Sequence, residues 1–413
     1  MTTGPERGAH RTVDAVVIGD GPAGSALAAA CARLGVDVVL VGPDDDWSPT
    51  YATWVDDLDG VDLPPIDEVL TTRLDSVAVH TDRRIEVVRP YGVFDNDVLR
   101  RHLRGGVDHV VGRVESVQQA SDGRRRLVVG RDEMTARVVV DASGWPSSFA
   151  PLAGDRPPAW QTALGVVLAE PPAGDLGQPT LMDFRPARSV GAGPSSIGPT
   201  GVTTFCYALP VEDGWLVEET VLAARPALEP IALLPRLAAR LGRHPDELLA
   251  DAVRTEYVRI PMGGSRPAPD APVVAFGAAA GYVHAATGFS VSSSLRAAPR
   301  VAAAIARSVT ESPSAVDPAV IGAAVWPVPM RRSRILHDYG LETLLRLDDD
   351  DVRAFFDAFF AMSLDDIRGY MRIDSPPTEV ARVMTRLFRS SSWSMRRRLA
   401  SGNPLAFARL ARP

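Results

Sequence analysis

Residues 213–226, DGWLVEETVLAARP, set Glu218 beside Glu219 in a run with apolar flanks that reads as a strand. An ionised carboxylate resists burial unless it is paired or neutralised, so two acids in such a run need a reason. An edge strand with one face in water is the plain one. The chemical one is a carboxyl group held in an apolar pocket, protonated at neutral pH and able to donate that proton to a substrate. Adjacent strand residues point to opposite faces, so at most one of the pair meets a cavity directly. Asp56 and Asp57 follow Trp54, where a solvated loop competes with an acidic role. His284 lies in the uncharged stretch 271–295, either as a satisfied core histidine or as a donor or proton relay.

A scaffold must position these groups, and its clearest part is VDAVVIGDGPAGSALAAACARLGVDVVLV, residues 13–41. A buried-strand pattern over 13–18 leads into Gly19-Asp20-Gly21-Pro22-Ala23-Gly24, an Ala-rich helix, Gly35 and a second strand over 36–41. Gly19 permits the tight turn, Gly21 lets the backbone approach a pyrophosphate, and Gly24 lets the helix pack closely. The helix N-terminus offers N–H donors to phosphate oxygens. The acid expected at the end of the second strand to hold a ribose is replaced by Gly42, followed by Pro43 and Asp44-Asp45-Asp46. Either one of those aspartates, Asp44 first, reaches the ribose, or the contact is absent.

Two later turns favour FAD over NAD. RVVVDASGW ends a strand at Asp141 and opens into Ala142-Ser143-Gly144. An apolar strand over 273–276 ends in Gly277-Ala278, and a small-residue loop through Gly288-Phe289-Ser290 precedes a long helix. Small residues let the chain pass close to a nucleotide. IPMGG, with Met262 and Gly263, reads as a further tight turn near the flavin ring. Together with the glycine turn at 19–24, the two strand-ending turns predict a nucleotide domain assembled from discontinuous pieces.

Composition bounds the rest. A chain of 413 residues with 46% hydrophobic content fills a sizeable core. All 44 basic residues are Arg, which excludes Schiff-base chemistry, pyridoxal phosphate anchoring and the Walker loop, since each needs a lysine amine. A net charge of −7 argues against nucleic acid as partner. Cys31 and Cys206 suit two buried thiols better than a disulfide or metal site. The N-terminal sequence has no signal-peptide pattern and no window reads as a membrane span, so the expected location is cytoplasmic.

Taken in order, GDGPAG, WSPTYATWVDDLD, FCYALPVEDGWLVEETVLAARP, IPMGG and FGAAAGYVHAATGFS resemble the motifs of the lycopene cyclase family of plant and cyanobacterial type. That family belongs to the broad p-hydroxybenzoate hydroxylase-like group of flavoproteins. The likeness covers nearly the whole chain, including the C-terminal LLRLDDDDVRAFFDAFFAM. It implies an FAD-binding fold, with Trp54 near the cofactor, and cyclisation of a linear apolar polyene without net redox change. It also implies that the flavin acts in its reduced form, with electrons from NAD(P)H. The paired acids of the family's F-L-E-E-T motif map onto Glu218 as first candidate acid and Glu219 as second, with Asp57 and His284 as further candidates. Ring closure by this route protonates a terminal C=C, lets an internal double bond attack the tertiary cation, and ends with proton loss. The chain departs from the family at Pro49-Thr50, Ala52-Thr53, Ala285 and Gly42, positions that touch the pocket more than the fold. The same residues accommodate a polyketide or terpenoid polyene and a flavin-dependent [4+2] cyclase. A flavin monooxygenase and a polyene carrier are the readings from other classes.

The expected fold is α/β. A Rossmann-type FAD-binding domain draws on residues 1–154, with a cap segment at about 65–90, and on 259–312. A mainly β substrate domain is inserted over 155–258, and 313–413 form a helical region. Within 379–413, eight Arg face one acid, Glu379, and alternate with Phe388, Trp393, Met395, Leu399, Leu405, Phe407 and Leu410. Peripheral docking on an anionic membrane is one reading. The other is a capping helix whose arginines pair with acids of the body, including 348–351.

Overall fold

The computed structural model describes residues 10–187, 202–312 and 316–400. The strand His10–Ile18 is buried on both faces over its second half, as its unbroken apolar run requires. It pairs in parallel with Val38–Gly42 and with Asp132–Asp141. Asp108–Val111 adds in parallel beside Val38–Gly42, and Val274–Ala275 beside Asp132–Asp141. Antiparallel Arg125–Val129 and Val114–Gln119 complete a seven-stranded sheet, so segments far apart in sequence form one Rossmann-type unit. Helix Pro22–Arg33 starts with proline, whose missing N–H would lack a helical partner anyway. Gly35, at φ +75°, supplies the left-handed residue just beyond its end. This helix and Val291–Glu311 share one apolar core on the sheet through Leu27, Cys31, Val301 and Ile305.

A second seven-stranded sheet runs in the order Arg254–Met262, Ala159–Leu168, Gly214–Val221, Thr204–Val211, Thr180–Asp183, Val77–His80 and Arg84–Val87. Its last two strands come from the segment the sequence reading gave to a cap on the flavin domain. They belong instead to the substrate sheet, because Val77 and Val79 bury into the same core as Phe184, Phe205 and Leu209. One face of this sheet carries helix Leu234–Leu241, through Leu234, Leu237 and Ala238. The other faces the C-terminal helices, where Phe355, Phe356, Phe359 and Phe360 of Asp349–Phe360 pack. Trp54, Tyr91 and Val93, from the three-stranded sheet Ala52–Trp54, Tyr91–Phe94 and Leu70–Leu74, join that core.

Both thiols are buried and unpaired, and burial pushes Cys31 up to about 12. The acidic run has a local cause: the Asp348 side chain accepts the Asp351 N–H as an N-cap, and three further aspartates face the positive end of the helix dipole. Among the described residues no helix is long and apolar enough to cross a membrane. In the basic tail, Arg382 and Arg386 pair with Asp366, Arg398 pairs with Asp348 and Asp351, and Met395 is buried. Trp393 is 72% exposed and Phe388 38%. Leu405, Phe407, Arg409, Leu410 and Arg412 lie outside the described residues.

Candidate active site

A cavity of about 1050 Å³ lies between the two sheets and the C-terminal helices. At one end it is lined by Gly19, Gly21, Pro22, Ala23, Ser143, Gly144, Ala278, Gly288, Phe289 and Ser290, which sequence reasoning had named. The glycine turn fits a dinucleotide on geometric grounds. Gly19 sits at φ +98°, and a Cβ there would lie 2.5 Å from Ser143 Cα. A Cβ on Gly24 would overlap the Gly19 carbonyl, so this glycine sets how closely the helix approaches the strand. A Cβ on Gly21 or Gly144 would meet nothing within 4 Å: both positions border open space. The helix N-terminus has no side-chain cap, so its N–H groups are free for an anion. Asp141 shapes the neighbouring turn by accepting from Ser143 N and Oγ, at 2.9 and 2.6 Å, and from Ser148 N at 2.9 Å.

Strand alternation separates the two glutamates. Leu216, Glu218 and Thr220 line the cavity. Glu218 is half-buried, and burial raises its carboxyl from 4.5 to about 7, with the Thr220 hydroxyl, donating at 2.6 Å, opposing the shift and the charge of Glu256 adding to it. Its Coulombic reach extends to the buried Tyr91, whose hydroxyl lies 3.1 Å from that of Tyr207. Glu219 points to the opposite face, fully buried, where Arg236 and Arg240 of helix Leu234–Leu241 approach it at 2.7 and 2.5 Å and Thr204 donates at 2.5 Å. A carboxylate neutralised by two guanidinium groups holds the helix on the sheet and has no path to the cavity, so its assignment as a candidate acid is corrected.

Other named residues also lie off the cavity. Asp57 is buried among Arg89, Arg372 and Arg296, at 3.1, 2.9 and 3.7 Å. Burial raises its carboxyl and the three arginines oppose that, a structural ion cluster in place of the solvated loop. His284 is buried in the helical layer, with Nε2 2.9 Å from the Tyr370 carbonyl, Nδ1 accepting from Ala286 N, and its ring 4.3 Å from His337. Burial holds it down at about 4, so it is a neutral core histidine. Trp54 is fully buried beneath Arg89, 4.5 Å from its ring, and against Tyr91. Met262 packs with Val283 and Leu341, and a Cβ on Gly263 would meet Leu341 at 2.7 Å. Gly277 faces Ala23, where a Cβ would sit 2.5 Å away. Asp44 turns outward to Arg100 and Arg104, whose hydrogen bonds hold its carboxyl low.

Several lining residues escaped the sequence reading. Glu218 is in register with Tyr207 on one side and Gly165 on the other, and Gly165 is in register with Glu256. One row across four strands therefore carries a tyrosine and two carboxyl groups, with no side chain at Gly165 to separate the acids. Glu256 accepts from Thr50 Oγ1 at 2.5 Å and pairs with Arg254. The only signal for Glu256 in the sequence was an acid in the strand that runs into IPMGG. The far end of the cavity is apolar, closed by Phe355, Phe356, Phe359, Phe360 and Met371.

The family model described as "Lycopene cyclase protein" matches residues 14–397. A relative called an uncharacterized carotenoid cyclase, from Deinococcus radiodurans, is 34% identical over 411 residues, covering 97% of this chain and 94% of its own. A lycopene beta cyclase from Synechococcus elongatus is 30% identical over 390 residues, covering 91% and 92%. Among solved structures, a geranylgeranyl bacteriochlorophyll reductase-like protein from Thermoplasma acidophilum superposes with a TM-score of 0.64 at 14% identity, covering 97% of this chain and 99% of the other. PqsL, described as a probable FAD-dependent monooxygenase from Pseudomonas aeruginosa, gives 0.54 at 17% identity, covering 84% and 100%. These two likenesses speak for the fold.

Proposed function

Because the chain belongs to the lycopene cyclase family, we propose that it closes a ring at the end of an acyclic, carotenoid-like polyene, with FAD bound in the cavity. The observation that carries this reading is Glu218: a carboxyl group raised to about 7 by burial, lining the same cavity as the dinucleotide turn and the phenylalanines of the C-terminal helices. A glutamate in that state is a competent proton donor near neutral pH. Protonation of the terminal C=C makes a tertiary cation, the internal double bond closes on it, and loss of a proton restores neutrality, with no net redox change. Glu256, held by Thr50 and Arg254 two strands away on the same cross-strand row, lines the same cavity, and its charge adds to the upward shift of Glu218. The apolar wall excludes water that would quench the cation. Gly19, Gly21, Pro22, Ala23 and the 142–144 and 288–290 turns would hold the cofactor. Bound there in its reduced form, with electrons from NAD(P)H, the flavin would supply anionic charge that favours a nearby cation.

The test is anaerobic turnover of an acyclic carotenoid by protein loaded with reduced FAD. Conversion to a ring-bearing isomer of unchanged mass, lost in Glu218→Gln, supports the proposal. A product that appears only with oxygen and gains the mass of an oxygen atom would replace it with a monooxygenase reading.

A further inference from the structure

Gly42 leaves open which group reads the adenosine ribose, and the fold answers through a residue outside the usual position. We infer that Asp20, inside the glycine turn, holds the ribose hydroxyls of the bound dinucleotide in place of the acid that ordinarily ends the second strand. The inference rests on the FAD reading. A Cβ built on Gly42 would overlap the Asp20 carboxyl group, so the Asp20 side chain occupies the space that a residue at the strand end would fill. The exchange is reciprocal: an acid at 42 leaves no room for one at 20, and glycine at 42 admits it.

Asp20 is built into its place. Its main-chain carbonyl accepts from Ser25 Oγ at 3.0 Å, Trp47 Nε1 at 3.1 Å and Arg104 Nη2 at 2.8 Å, so the backbone that carries the side chain is fixed from three elements. On the carboxylate, Oδ2 accepts from Asp44 N at 2.9 Å, pairs with Arg104 Nη2 at 2.8 Å and lies 3.3 Å from His109 Nε2. Those contacts converge on Oδ2. Oδ1 faces the position of the missing strand-end side chain. Asp20 lines the cavity, whereas Asp44, the strand-end candidate, does not. A buried, oriented carboxylate beside the helix N-terminus has the chemistry to accept from vicinal hydroxyls next to a pyrophosphate.

The experiment measures binding to the full chain stripped of flavin, by calorimetry, with FAD, ADP and 2′-deoxy-ADP as probes. Wild type should prefer ADP over 2′-deoxy-ADP by about 10-fold or more, the range of a hydrogen bond to a charged group. Asp20→Ala should abolish that preference and weaken FAD about 10- to 100-fold. Asp20→Ala also deprives Arg104 and His109 of a partner, and the nucleotide pair separates this effect: a structural role lowers both affinities alike and leaves the ratio. The double variant Asp20→Gly with Gly42→Asp, which returns the acid to the strand end, should restore both the preference and most of the FAD affinity. Equal binding of ADP and 2′-deoxy-ADP by wild type that does bind FAD, or an unchanged ratio in Asp20→Ala, overturns the inference and leaves the cofactor reading standing. Failure of wild type to bind FAD overturns both.

Discussion

Glu218→Gln should make the flavin-free protein more stable at alkaline pH and should remove the activity of the flavin-loaded protein. The fold raises this carboxyl from 4.5 to about 7, which places about 3 kcal/mol against its ionisation in the native state. The sign follows from proton binding. Between these two values the native chain holds a proton that the unfolded chain has released, so wild-type stability declines as pH rises through this window and the loss is complete above about 7. Glutamine keeps the volume, still accepts from Thr220 and never ionises. The stability difference between variant and wild type should therefore be small at pH 5 and grow to about 2–3 kcal/mol in favour of the variant by pH 9. Denaturant unfolding of both proteins at the two pH values measures it, and titrations elsewhere in the chain cancel in the difference. A difference that is the same at pH 5 and pH 9 would refute the raised carboxyl and with it the acid role. Wild-type cyclisation should fall on the same limb, as pH rises through about 7.

Gly21→Val should leave folding intact, since its Cβ meets no protein atom within 4 Å, yet abolish FAD uptake as read by flavin absorbance. Glu219→Gln leaves Arg236 and Arg240 facing a neutral amide and should cost about 3–5 kcal/mol of stability, measured by thermal unfolding, while the protein that remains folded keeps its cyclase activity. Because Arg382, Arg386 and Arg398 are taken up in ion pairs, any docking on an anionic bilayer would fall to the exposed Trp393 and Phe388 with Arg389 and Arg397. Protein should sediment with anionic liposomes at low salt and lose about 10-fold in affinity in Trp393→Ser with Arg397→Ser, whereas no sedimentation of the wild type would make the tail purely structural.

The glycine turns were legible because backbone clearance constrains residue type locally: Gly19 and Gly24 each face another main-chain atom. The Glu218/Glu219 pair was legible as chemistry but not as orientation, since alternation states that the faces differ without saying which face meets the cavity. That is decided by the arginines at 236 and 240, one helical turn apart on an element that lies later in the chain. His284 looked available because its own surroundings carry no charge, yet its partners, His337 and the Tyr370 carbonyl, come from helices 53 and 86 residues away. Trp54 and Asp57 were misplaced for the same reason: Arg89, Arg296 and Arg372 close over them from three separate segments. Glu256 offered only an acid in a strand, because its meaning lies in a cross-strand row through Gly165, which no local pattern encodes.

The strands that carry Tyr207 and Glu218 are joined by a tight hairpin in which Val211 faces Gly214 across only Glu212 and Asp213. Two identical acids placed next to each other make this hairpin sensitive to length in an unusual way. A single residue inserted at the turn would slide the strand by one position and exchange the faces of all its side chains. The motif would still read Glu-Glu, but Glu219 would enter the cavity and Glu218 would fall among the arginines. The ion pairs to Arg236 and Arg240 therefore act as a register key. They make one alignment of two chemically equivalent residues far more stable than the other, so that the acid facing the cavity is the one without a guanidinium partner.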